Sequence, residues 1–298
     1  MTRLHRRSHR HAFHELPLVF FTALSTAGAG TGWAFLLRAL LGSGSWTVPR
    51  EGALVSAGLL LAGAVASFGH LGVPLRGFLA LRRVGRSPLS DEVLLLILAL
   101  TGSVARGVLP VAGTVATALS IFTGMISFLL LVALGRVYRL PGQEGWRGPG
   151  LVQPLVLGTL FGGLALGAPG GQEVGGWGFP PAVVALLLLV DGGFLLYRGR
   201  ILAFGRRRAL PLHPGTFRLR WPLLLGRALL VPVVPLMLLL LSSEGALPAL
   251  LFLVGGIFVD RWAFYGLAQQ RSTEAEVARV EGVLSRTMHE PGNTSGAR

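Results

Sequence analysis

Of the ionisable side chains in or at the edge of apolar stretches, His70, Glu92 and Asp191 are the candidates for chemistry. An imidazole titrates at an unperturbed pKa of about 6.5, so it can take or give a proton near neutral pH. His70 ends an apolar run just before Gly72 and Pro74, which break a helix. There it suits quinol oxidation or a proton path; the plainer alternative is a histidine that caps the helix end by bonding a carbonyl. Glu92 closes the segment SPLSDE (87–92) at the start of the next run. Ser90 is expected as the N-cap, with Asp91 and Glu92 in the first turn, where carboxylates favour the positive end of the helix dipole. That accounts for Asp91 and leaves Glu92 able to face the same vestibule as His70, because the connection returns the chain to the same membrane face. Asp191, in LLLLVDGGFLLYRGR (186–200), reads as the only carboxylate well inside an apolar run. It is expected to form a structural pair with Arg227 rather than a proton relay, or else to lie close enough to a helix end to be hydrated.

Metal chemistry has few ligands to use. With no cysteine, the chain holds no iron–sulfur cluster and no thiolate metal site. Haem needs two histidines on facing helices, and of the seven only His70 and His14 touch an apolar run, so no haem and no metal are expected.

The elements that position these residues follow from hydropathy. Of 298 residues, 52% are hydrophobic and 13% charged, about half the charged fraction of a soluble domain. Eight apolar runs are long enough to cross a hydrocarbon core, which takes about 20 helical residues. They cover 16–42, 52–74, 89–109, 111–134, 151–168, 180–197, 221–242 and 246–267. The expected fold is an all-α integral membrane bundle of eight transmembrane helices with short loops, spanning 1–268. Within it 1–13 form a basic N-terminal segment, and a polar cytoplasmic tail, 269–298, follows. The first run is too long for a signal h-region and lacks a clear cleavage site, so it is expected to stay as a helix.

Charge sets the expected orientation. All 27 basic residues are arginines, against 13 acidic ones, a net +14. They cluster between apolar runs, which points to membrane topology and anionic headgroups rather than nucleic acid. Arg76, Arg82, Arg83 and Arg86 lie between the second and third runs, Arg136, Arg139 and Arg147 between the fourth and fifth, and seven more between the sixth and seventh. The other side has only Arg38, Arg50 and Arg106. The positive-inside rule then places both termini and the arginine-rich loops in the cytoplasm, in a bacterial or archaeal plasma membrane. The 43 glycines, many within the runs, are read as close helix packing rather than phosphate loops.

The segment HLGVPLRGFLALRRVGRSPLSDE (70–92) resembles a loop of the DmsC family, the membrane-anchor subunits of dimethyl sulfoxide reductase-type molybdoenzymes. HELPLVFFT (14–22), GRVYRLP (135–141) and DRWAFYGL (260–267) agree in the same order, as does the number of spans. The resemblance implies an anchor that binds and oxidises menaquinol, with no metal of its own. Electrons would pass to a four-cluster iron–sulfur subunit and on to a molybdopterin catalytic subunit. It also implies a quinol site at His70 and Glu92, with Arg76 belonging to the matching motif.

Two other readings stay open. A polysulfide or nitrite reductase type of anchor would do the same job with another acceptor. A small secondary transporter would use Asp191 and the glycine-rich helices as its substrate site, although no inverted repeat is evident.

Overall fold

The computed structural model describes residues 16–41, 46–69, 74–137, 152–167, 179, 181–204, 222, 224–241 and 246–266. The basic segment 1–13 and the tail 269–298 lie outside them, as do all seven histidines. All described residues belong to one compact unit, Met1–Leu267.

Eight α-helices are described, one for each apolar run: α1 (Leu16–Leu40), α2 (Arg50–Phe68), α3 (Pro88–Val108), α4 (Gly113–Arg136), α5 (Gln153–Gly167), α6 (Pro181–Phe204), α7 (224–241) and α8 (Ala246–Gly266). No strand occurs among the described residues. Helices α1 to α4, of 25, 19, 21 and 24 residues, are each long and apolar enough to cross a membrane. At 1.5 Å per residue the shortest of them reaches about 28 Å.

Two boundaries differ from the sequence expectation. Helix α2 closes at Phe68, with the Gly69 N–H on the carbonyls of Ala66 and Ser67, so the second apolar run outlasts its helix. Helix α3 starts at Pro88, and Ser87 rather than Ser90 precedes it. Proline at the first helical position has a preset φ and no N–H to leave unsatisfied, which moves the start upstream. Between them, Pro74–Arg83 coil into a 3₁₀ helix rather than an open loop.

Helix α1 is the axis, with residues in both of the larger hydrophobic clusters. Leu60, Leu96, Ala99, Leu130, Leu131 and Leu134 pack against one side of it, joining α2, α3 and α4. Leu157, Leu160, Phe161, Leu253 and Ile257 pack against the other, joining α5 and α8. Glycine makes the approach possible: a Cβ on Gly30 would collide with the Gly158 carbonyl, and one on Gly162 with the carbonyl of Gly30. The packing reading of the glycines holds at this contact, where backbone meets backbone.

In α7, Leu229–Val233 form a π turn around Pro232. Proline brings no N–H to the ladder and its ring collides with the preceding turn, so a wider turn absorbs it.

Candidate functional site

Helix α3 presents Glu92, Leu96, Ala99, Ser103 and Arg106 along one buried face, at the three- and four-residue spacing of a helix. Its register against α2 is fixed by the Ser56 and Ser103 hydroxyls, 3.2 Å apart, and Ser56 also donates to the Gly28 carbonyl at 2.8 Å. Running antiparallel from that pair, the same distance along each helix brings Glu92 level with Ser67, the penultimate residue of α2.

Glu92 is 1% exposed, and neither carboxylate oxygen has a hydrogen-bond partner among the described residues. Nearly all buried polar groups in proteins are bonded, and leaving a carboxyl buried without a partner is costly. Its neighbour Asp91 turns outward and accepts the Gly85 N–H at 2.7 Å. Two adjacent acids therefore have separate jobs: Asp91 holds the turn before the helix, and Glu92 faces inward with its acceptors open.

The rest of the predicted site is described only in part. Arg76 lies on the 3₁₀ segment that joins α2 to α3, and its side chain lies outside the described residues. So does His70 as a whole. The connection places the backbone of Arg76 and the helix of Glu92 in one continuous segment, and the 3₁₀ helix packs against α3.

A second buried polar centre lies on the far side of α1. Arg227 of α7 grips both carboxylate oxygens of Asp191 in α6, Nη1 to Oδ2 at 2.8 Å and Nη2 to Oδ1. Its Nε donates to Asp260 Oδ1 of α8 at 3.0 Å, and Gln153 Nε2 of α5 donates to the same oxygen at 2.5 Å. Arg261 Nε stands 3.6 Å from Asp260 Oδ2. Four helices thus meet on five side chains that are at most 2% exposed. The expected Asp191–Arg227 pair is present. The expectation that Asp191 is the only carboxylate well inside an apolar run fails at Asp260, which lies within the eighth run beside Arg261. The signal was there in the sequence, an acid and a base adjacent in a span, each too costly to keep without a partner.

Comparison with known proteins gives these residues their context. Residues 10–267 match the family described as "DMSO reductase anchor subunit (DmsC)". The chain belongs to the DmsC family. It is 30% identical over 284 residues to the C subunit of the anaerobic dimethyl sulfoxide reductase of Escherichia coli, covering 86% of this chain and 95% of that one. To the C subunit of the anaerobic dimethyl sulfoxide reductase of Haemophilus influenzae it is 31% identical over 159 residues, 51% of this chain. In that alignment it spans only 57% of the Haemophilus protein's length. No solved structure matches. A DmsC-family chain has a membrane-anchor role, and this one supplies it with apolar helices.

Proposed function

We propose that this DmsC-family chain is the integral membrane anchor of a dimethyl sulfoxide reductase-like complex. It binds menaquinol where the second and third spans close, oxidises it there, and passes the electrons to an iron–sulfur partner subunit in anaerobic electron transport. The observation that carries the reading is Glu92: a fully buried carboxyl with two open acceptors, one turn inside α3, where the 3₁₀ segment delivers the chain. Oxidising a quinol to its quinone releases two electrons and two protons, so the site needs an acceptor for a hydroxyl proton and a short way to water. His70 accepts from one quinol hydroxyl, Glu92 passes that proton and then the second one to the near aqueous face, and Arg76 belongs to the same connection. The two electrons leave for the iron–sulfur subunit, which feeds a molybdopterin catalytic subunit.

The outward faces support a bilayer setting. Leu61 and Val65 of α2, Ile97 and Val104 of α3, and Phe122, Met125 and Leu129 of α4 are all exposed, large apolar side chains on the outer faces of three membrane-length helices. The transporter reading loses its substrate carboxylate, because Asp191 is already held by Arg227.

The test is quinol-driven reduction of the partner's iron–sulfur clusters, followed by electron paramagnetic resonance in membranes carrying the whole complex. Glu92→Gln keeps the size of the side chain and removes its use as a proton acceptor. We expect cluster reduction by menaquinol to slow about 100-fold or more, the scale of a lost general base, with reduction by dithionite unchanged. Unchanged quinol-driven reduction would remove Glu92 from the site.

A further inference from the structure

The turn between the 3₁₀ segment and α3 displays Arg82, Arg83 and Arg86, all exposed, within five residues. Its shape is fixed from within. Arg86 and Ser87 donate backbone N–H groups to the Arg83 carbonyl at 3.0 and 3.1 Å, Gly85 takes the left-handed region at φ +77°, and Asp91 Oδ1 accepts the Gly85 N–H. Of the two acids nearest in sequence, Asp91 is engaged with the turn backbone through one carboxylate oxygen, and Glu92 is buried. None of the three arginines forms an ion pair with any described residue.

Three apolar side chains share this exposed segment: Leu79 at 51%, Val84 at 40% and Leu89 at 53%. Cations interleaved with exposed aliphatic groups, on a connection between two membrane-length helices, match the boundary between headgroup and acyl chain. A guanidinium is also the side chain best shaped for a phosphate, through paired N–H donors.

We propose that Arg82, Arg83 and Arg86 form a binding site for an anionic phospholipid, with the phosphate held by the guanidinium groups and the acyl chains against Leu79, Val84 and Leu89. The proposal rests on the membrane-anchor role and not on the quinol site. An acidic face of a partner subunit is the competing occupant. The lipid is favoured because aliphatic side chains are exposed on the same segment as the charges, at the end of helices with apolar outer surfaces.

Native mass spectrometry of the purified full chain, exchanged into detergent with matched phosphatidylglycerol and phosphatidylcholine, tests it. The wild type is expected to retain phosphatidylglycerol in preference, less so as salt is raised. Each arginine near an anionic surface is worth about fivefold in affinity, so the triple variant Arg82→Gln, Arg83→Gln, Arg86→Gln should bind on the order of 100-fold more weakly. The triple Arg→Lys variant, which keeps the charge, should retain most of the preference, and Arg136→Gln, on another exposed end, all of it. If the Gln variant does not fold, the salt response and the Lys variant still decide. Equal retention of the two lipids by the wild type overturns the proposal, as does retention by the Gln variant equal to the wild type's. In native mass spectra of the complex purified from membranes, loss of an acidic partner subunit from the Gln variant with lipid retention unchanged makes the surface a protein dock and also overturns it.

Discussion

Two buried carboxyl centres have opposite designs. Around Arg227 each carboxylate meets a cation, so the charges desolvate together and remain only as long as the set is complete. Replacing Arg227 with Met would leave Asp191 and Asp260 facing each other without the shared cation, at a cost of about 3–5 kcal/mol. Thermal unfolding in detergent should show a large drop in midpoint; an unchanged midpoint would mean that the network carries no stability. Glu92 is built the other way, buried with no hydrogen-bond partner among the described residues, and its loss should affect chemistry more than folding. The sequence already pointed to the pair Asp191–Arg227, because an intramembrane acid demands a nearby base. Asp260 and Gln153 were harder to read, since joining them to that pair depends on how α5 and α8 cross α1, and no pattern of residue types encodes it.

At the scale of elements, α1 is held by close backbone contact. Gly30→Ala places a methyl group into the Gly158 carbonyl and must push α1 and α5 apart, at a cost of about 1–3 kcal/mol. A lower unfolding midpoint than that of a matched Gly58→Ala variant, whose Cβ meets nothing within 4 Å, would show that the contact is responsible. At Gly85 the constraint is conformational: nothing lies within 4 Å of a Cβ, but φ is +77°. Gly85→Ala should cost about 1 kcal/mol through backbone strain alone. Helix number and order were legible from hydropathy, since each apolar run yields one helix. The ends were less so: Pro88 pulled the start of α3 ahead of the expected Ser90 cap, and α2 stopped at Phe68 although apolar residues continue. The 3₁₀ helix between them had no sequence signature, because its arginines read equally well as loop.

Across the whole molecule, the two polar centres lie towards the same end of the bundle on opposite sides of α1. Phe258 of α8 meets Phe20 of α1 edge to face at 4.8 Å, and a Cβ on Gly69 at the end of α2 would stand 3.5 Å from Pro17. Arginine placement predicts that this end, with the 75–89 connection, faces the cytoplasm. Reporter fusions after Arg86 should be active with a cytoplasmic reporter and silent with an exported one, and the reverse would move the partner's docking face with it. Binding of quinol between the ends of α2 and α3 is tested most directly by titrating a fluorescent quinol analogue into membranes carrying the complex, wild type against His70→Ala and Glu92→Gln. We expect saturable quenching in the wild type and binding at least tenfold weaker in His70→Ala, where a hydrogen bond to the quinol is lost together with its positioning. In Glu92→Gln, turnover should fall more than affinity. Wild-type affinity and turnover in both variants would contradict a quinol site at these residues.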